Sequence, residues 1–276
     1  MSSNLYLTKN KTKEDLVNAY KDLLSSFSHW RIFCLIGIND IRKRYARSRM
    51  GQFWLTLSLA VNIAALSFVW AFLFKIRAVD YIPYLSFGLI FWTYMSSCVL
   101  EGSNLYITNT GYLKELRIPK LCYLNSLFVR NTVVIFHNLL VLIPIYFFCS
   151  VPLLIIPIAL SIIGFLLTSI FLYSVSIFIS LVGLRFRDFP NIVASLLQVF
   201  FYLTPIMWKA EAMPENIQKY MVFNPFAVLL ALCRNPMLGI KIPENYWFAA
   251  IAYIIIGWLI AFPLFSKFRS RITYWL

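Results

Sequence analysis

Long apolar runs follow one another along most of this chain, and short polar segments with most of the charged residues separate them. A helix that crosses the hydrocarbon core of a bilayer needs about 20 mostly apolar residues. The runs therefore predict six transmembrane helices, at 53–74, 84–100, 126–149, 153–182, 191–208 and 247–265. The fourth run is the longest, so we expect that helix to tilt, to kink at Pro157 near its start or to project past the bilayer.

Two other segments fit neither a spanning helix nor a simple loop. Residues 27–45 place apolar side chains at helical spacing and cations elsewhere around the helix, which is typical of an amphipathic helix in the membrane interface. Residues 209–246 are amphipathic, contain four prolines and are too short to cross the membrane and return as two full helices. We expect a re-entrant hairpin there, on the outer side of the membrane.

These elements predict an all-α polytopic membrane protein without a separate soluble domain. A polar cytoplasmic arm (1–26) precedes the interface helix with the segment after it (27–52), the six-span domain (53–265) and a cytoplasmic tail (266–276). The composition agrees, because 61% of the 276 residues are hydrophobic and only 13% are charged. Soluble domains are nearer half apolar and a quarter charged.

The distribution of positive charge predicts the orientation. The formal net charge is +14, but the cations are scattered among short loops, which argues against nucleic acid as a partner. Of the 25 Lys and Arg residues, 19 lie on the side that holds both termini and 6 on the other side. Cytoplasmic loops carry the excess of Lys and Arg, so we expect both termini in the cytoplasm.

The sequence carries no motif for enzyme chemistry. It has only two histidines, no HExxH or GxSxG pattern, no cysteine spacing typical of a metal site and no phosphate-binding GxxxxGK[ST] loop. The six apolar cores also contain no Asp or Glu, which proton- or sodium-driven carriers usually keep inside the membrane. We therefore expect a chain that is not an enzyme and binds no cofactor or metal. An ATPase-driven permease, a channel and a scaffold remain open.

A charged cytoplasmic loop separates the second and third predicted spans. Thr110 and Gly111 favour the start of a short helix there, and Pro119 favours its end. A helix over 112–118 would present a mixed-charge surface to a cleft on a soluble partner. Its candidate docking residues are Tyr112, Lys114, Glu115, Arg117 and Ile118. An ordinary solvated loop whose cations only fix the topology is the alternative.

Several segments, in the same order along the chain, resemble one family. Residues 44–54 (RYARSRMGQFW) are similar to the arginine-rich segment before the first span in permease subunits of ABC-type polysaccharide exporters, the Wzm/KpsM-like proteins. Met50 is a departure, since many relatives have a smaller aliphatic residue there. Residues 109–120 resemble the coupling-helix loop of these permeases and 183–190 (GLRFRDFP) their next cytoplasmic loop. Residues 201–208 (FYLTPIMW) and Asn224-Pro225 resemble the end of their fifth span and the turn that follows.

The resemblance implies a type-2 ABC exporter permease, a homodimer in the bacterial inner membrane that pairs with two cytosolic ATPase subunits. Those subunits would bind the ATP and Mg²⁺. The resemblance also implies a lipid-linked glycan on polyprenyl pyrophosphate or a similar anchor, and we expect O-antigen. Capsule polysaccharide, teichoic acid, drugs and small lipids are alternative cargoes. A membrane-embedded lipid-modifying enzyme is disfavoured, because no cluster of Asp, Glu or His is available for acid–base chemistry.

Three arginines form a candidate site for the lipid pyrophosphate. Arg44, Arg47 and Arg49 lie where the interface helix meets the first span, at the depth of the lipid headgroups. The planar guanidinium group suits a pyrophosphate, and the interface helix, which contains Trp30 and Tyr45, would gate its entry. Binding of anionic lipid headgroups by the same arginines is the alternative.

Two helical stripes of polar and aromatic residues are predicted to line the path of the glycan. They comprise Trp54, Ser58 and Asn62 on the first span, and Ser195, Gln198, Phe201 and Tyr202 on the fifth. Polar side chains at membrane depth usually face protein or a water-filled cavity, and aromatic rings give sugars an apolar surface along which to slide. Hydrogen bonding between neighbouring helices is the alternative role of the polar residues.

Overall fold

The computed structural model describes residues 2–45, 48–51, 53–75, 77–149 and 155–276, with the backbone alone for residues 2–12, 45 and 74. Within these ranges the regular structure is helical throughout, as the sequence predicts. The α-helices are α1 (Ser2–Ser28), α2 (Trp30–Tyr45), α3 (Phe53–Phe74), α4 (Ala78–Ser103), α5 (Leu105–Thr108), α6 (Thr110–Glu115), α7 (Leu121–Leu139), α8 (Leu142–Cys149), α9 (Ile155–Arg185), α10 (Phe189–Leu203), α11 (Glu215–Gln218), α12 (Pro225–Arg234) and α13 (Glu244–Phe268). Short 3₁₀ helices are Ala210–Ala212, Lys219–Phe223, Pro236–Leu238 and Arg269–Arg271.

Five helical segments of the described chain are long and apolar enough to cross a membrane. They are Phe53–Leu73, Ala78–Ser103, Leu121–Cys149, Ile155–Arg185 and Glu244–Arg271. Each overlaps one predicted span, and α3 has the predicted bounds. The third span differs in shape, because it begins earlier than predicted and consists of α7 and α8 with a break at Leu140.

The fifth predicted span is shorter than expected. α10 contains 15 residues, which at 1.5 Å per residue give about 22 Å, against about 30 Å for the hydrocarbon core. The helix ends at Leu203 and not at the predicted residue 208. Thr204 is already extended, which is the conformation that a residue before a proline prefers. The crossing of the membrane by α10, and with it the six-span count and the re-entrant hairpin, stay predictions.

α4 is the central helix of the described structure. It packs against α3, α7, α9, α10 and α12, and it is the most buried of the five spanning segments. Its crossing with α9 requires glycine at position 183, because a Cβ atom there would lie 1.9 Å from the carbonyl oxygen of Ser103. α4 is therefore an enclosed helix that joins the two ends of the molecule.

The interface helix is α2, which begins at Trp30, three residues after the predicted start. The chain turns at His29, and the preceding residues belong to α1. α2 packs against α7 and buries Ile36 and Ile41, while Trp30 and Leu35 are more than half exposed. Apolar side chains on both the packed and the open face agree with a helix held between protein and lipid.

The predicted polar arm forms most of α1 and docks on the spanning helices. Asp22, with a side chain that is 1% exposed, accepts a hydrogen bond from Arg269 Nε at 2.7 Å. It also accepts from the backbone nitrogens of Lys120 at 3.3 Å and Leu121 at 3.2 Å, at the start of α7. These three bonds supply the partners that a buried carboxylate requires.

We expect Asp22→Ala to destabilise the folded chain by about 2 kcal/mol, because hydrogen bonds to a charged group contribute roughly 1.5–3 kcal/mol. The measurement is the thermal unfolding midpoint of the detergent-purified protein. Glu14→Ala, which removes an exposed carboxylate from the same helix, is the matched control. Equal midpoints for the two variants would contradict the docking role of Asp22.

Candidate functional site

Glu101, in the last turn of α4, accepts hydrogen bonds from two neighbouring helices. Its Oε1 accepts from Arg44 Nη2 at 3.1 Å. Its Oε2 accepts from Arg130 Nη2 at 2.7 Å and from Asn131 Nδ2 at 3.1 Å. Because Arg44 belongs to α2 and the other two donors belong to α7, one carboxylate ties three helices together.

Arg130 extends this network to a second carboxylate. Its Nη1 donates to Asp40 Oδ2 at 3.0 Å, and its side chain is only 14% exposed. A cation inside an apolar helix needs acidic partners, and Glu101 and Asp40 provide them. None of these three residues is among the site candidates that the sequence predicts. The position of Arg130 within the predicted span 126–149 is the signal that could have revealed them.

Lys43 and Tyr112 connect the network to residues 109–120, which we call the coupling loop. Lys43 Nζ lies 2.7 Å from Tyr112 Oη, to which it donates, and 5.0 Å from the centroid of that ring. The hydrogen bond to Tyr112 raises the pKa of Lys43 above its ordinary value. Since Lys43 and Arg44 are adjacent, one turn of α2 contacts both the coupling loop and α4.

A cavity of about 530 Å³ lies between α2, α4, α7 and the coupling loop. We call the charged and aromatic residues around it the Glu101 cluster: Asp40, Lys43, Arg44, Glu101, Tyr112 and Arg130. Three of these side chains are cationic and two are carboxylates. The cluster therefore has one net positive charge, which favours an anionic group in the cavity.

The structure describes only part of the predicted pyrophosphate site. Arg44 lines the cavity, and Arg49 is exposed in the turn before α3. Arg47 and the side chain of Tyr45 lie outside the described residues. Trp30 is 57% exposed at the opposite end of α2, about 21 Å along the helix from Arg44. Trp30 and Arg44 therefore lie at opposite ends of α2, and their shared role in headgroup entry stays a prediction.

The helix of the coupling loop is shorter than predicted. α6 starts at Thr110 but ends three residues early, because Leu116 is extended and the residue before Pro119 disfavours a helical conformation. The predicted docking residues that are exposed are Lys114 and Glu115 on the helix and Arg117 after it. Tyr112 and Ile118 are half-buried. The loop thus presents charges outward and is held at its two ends.

The predicted channel stripes lie mostly on the surface of the single chain. Phe201 is half-buried and the other six residues are exposed. Ser58 and Ser195 donate to carbonyl oxygens four residues earlier in their own helices, so these hydroxyls need no partner on a neighbouring helix. Gln198 and Phe201 line a cavity of about 260 Å³ against α4. Both α3 and α10 pack on α4, so the stripes flank the central helix.

Known proteins are similar to this chain over most of its length. The chain is 22% and 23% identical to two Klebsiella pneumoniae proteins named O-antigen export system permease protein RfbA, over 87% of this chain and 93% of each relative. It is 21% identical to a Myxococcus xanthus protein of the same name, over 84% of this chain and 89% of that relative. These matches confirm the resemblance to permeases of ABC-type polysaccharide exporters. Residues 33–238, which include the whole Glu101 cluster, match the family model described as ABC-2 type transporter, and the chain belongs to that family.

Proposed function

We propose that this chain is the membrane subunit of an ATP-driven exporter that moves a lipid-linked polysaccharide, O-antigen, across the bacterial inner membrane. It acts as a homodimer with two cytosolic ATPase subunits, which bind ATP and Mg²⁺ and catalyse the hydrolysis. Both termini, the coupling loop and the Glu101 cluster face the cytoplasm. The family of the chain and the names of its relatives support this assignment.

The observation that carries the proposal is the contact between the coupling loop and the interface helix. An ATPase that pushes on the coupling loop displaces Tyr112, and the hydrogen bond from Lys43 passes this displacement to α2. The next residue, Arg44, is paired with Glu101 on α4. Movement of α2 relative to α4 therefore changes the width of the cavity between them.

The lipid pyrophosphate enters this same cavity. Arg44 is 52% exposed, so an anionic headgroup can reach it without unfolding the helices. A pyrophosphate gains charge-assisted hydrogen bonds from Arg44 and Lys43 and competes with Glu101 for Arg44. Arg130, with its two carboxylates and its small exposure, stays in place as the fixed side of the cavity. Headgroup binding and movement of α2 then both depend on the ion pair between Arg44 and Glu101.

The glycan passes between two copies of the chain. In one copy the channel stripes on α3 and α10 are largely uncovered. A two-fold axis, which relates the subunits of most homodimers, makes the stripes of both copies face a shared path. Trp54 and Tyr202 are 54% and 65% exposed and supply aromatic surfaces on which sugar rings slide.

Charge reversal in the coupling loop tests the ATPase contact. We expect Lys114→Glu with Arg117→Glu to lower recovery of the ATPase with the purified permease by about tenfold at low salt, because repulsive charges at an interface slow association. Lys75→Glu with Arg77→Glu makes the same charge change at exposed positions near the far end of α4 and should leave recovery unchanged. Full recovery of the ATPase with the Lys114→Glu, Arg117→Glu permease would show that the ATPase docks elsewhere.

Removal of two aromatic rings tests the path of the glycan. We expect Trp54→Ala with Tyr202→Ala to reduce the polysaccharide at the cell surface about tenfold, since each aromatic contact contributes roughly 0.5–1.5 kcal/mol. Surface glycan is measured on intact cells, and the amount of permease with bound ATPase is measured in their membranes. Phe147→Ala with Phe248→Ala, which removes two exposed rings from α8 and α13, is the matched control. Normal surface glycan in the first variant would refute the assigned path.

A further inference from the structure

A second polar cavity, of about 360 Å³, lies toward the other end of α4. Tyr84 forms part of its floor and is 17 residues, or about 25 Å, from Glu101 along the helix. Pro205, which follows α10, and the segment 209–246 supply the remaining walls. The cavity is therefore separated from the Glu101 cluster by most of the thickness of a bilayer, on the side that we expect to face outward.

Arg234 is the charged residue on the floor of this cavity, and it is only 3% exposed. Its guanidinium carbon lies 3.9 Å from the centroid of the Tyr84 ring. Its Nη1 donates to the carbonyl oxygen of Pro205 at 2.6 Å, and its Nε donates to Asn235 Oδ1 at 3.4 Å. No carboxylate of the described residues pairs with it within 4.0 Å. Neutral groups thus hold a buried cation whose charge has no direct counter-ion.

The rim of the cavity is exposed and carries balanced charge. Two cations, Lys219 and Lys241, and two carboxylates, Glu211 and Glu215, lie around it. Because these four charges cancel, the buried guanidinium leaves the cavity with one net positive charge. Other polar side chains add hydrogen-bond donors and acceptors: Gln218, Asn235, Asn245 and Tyr246. The cavity therefore combines one buried cation with many groups that can bind hydroxyls.

We propose that this cavity binds an acidic sugar residue of the transported glycan, with the carboxylate of the sugar directed at Arg234. A planar guanidinium matches a carboxylate in charge and geometry. The amide side chains and the carboxylates on the rim can form hydrogen bonds with the hydroxyls of a sugar ring. The volume falls within the roughly 300–1,000 Å³ of small-molecule sites. This inference rests on the proposed function, because it assigns the cavity to the substrate on the exit side of the exporter.

Calorimetric titration of the purified full-length permease in lipid nanodiscs tests the site with two trisaccharides, acidic trigalacturonate and neutral maltotriose. We expect trigalacturonate to bind at least ~10-fold more tightly, because only its carboxylates can pair with the buried cation. Lys219→Gln with Lys241→Gln should weaken trigalacturonate binding about tenfold, since each exposed ion pair changes an affinity roughly threefold. Maltotriose binding should not change in this variant.

Two further variants make the test specific. Arg77→Gln removes an exposed cation at the same end of α4, outside the cavity, and should leave both affinities unchanged. Arg234→Gln should abolish the preference for trigalacturonate. Because Arg234 also holds the segment after α10 through Pro205, the affinities of its variant are compared only if its unfolding midpoint is retained. The double lysine variant changes exposed residues alone and keeps the proposal testable in either case.

Equal affinity for the two trisaccharides, or unchanged trigalacturonate binding in the double lysine variant, would overturn the assignment of the cavity. The titration needs neither ATPase nor transport, so this failure is distinct from a failure of the exporter proposal. If the unaltered permease shows no preference for trigalacturonate but docks its ATPase normally, the sugar site alone is refuted. Intact trigalacturonate binding without ATPase docking would refute the exporter assignment.

Discussion

The structure depends on the exclusion of unpaired charge from the hydrocarbon core. In the described spanning helices the carboxylates lie in the first or last turn, as do Asp80 and Glu101 in α4 and Glu244 in α13. Arg130 lies deeper in its helix, and Glu101 and Asp40 pair with it. Since an unpaired ion in lipid costs several kcal/mol, charge-dependent contacts are concentrated at the two ends of the bundle.

α4 is the element that both ends share. Near one end, Glu101 holds the interface helix and α7, and near the other, Tyr84 lies against the buried guanidinium of Arg234. At Gly183 the backbones of α4 and α9 are in close contact, and tightly packed interiors transmit displacement instead of absorbing it. α4 thus provides a contiguous packed connection between the cavity of the Glu101 cluster and the outer cavity.

Features set by local pattern were predictable from the sequence, and features set by long-range packing were not. The thickness of the bilayer fixes the length of a spanning helix, so five of the predicted spans have matching helices. By contrast, the extended conformation of Thr204 makes α10 shorter than its apolar run predicts. The docking of Asp22 on Arg269, 247 residues away, leaves no periodic pattern in the sequence. Arg44 and Tyr112 were both proposed from the sequence, but their convergence on one cavity depends on how α2 packs against α7.

The function that we propose leaves this chain without an energy source of its own, so that its cargo moves only when a partner hydrolyses ATP. The direct measurement is flux of fluorescently labelled lipid-linked glycan in sealed proteoliposomes, with the permease alone or together with its ATPase. We expect transport only with the ATPase and ATP, and none from a proton or sodium gradient across liposomes that contain the permease alone. Uphill flux driven by either gradient in those liposomes would contradict the account.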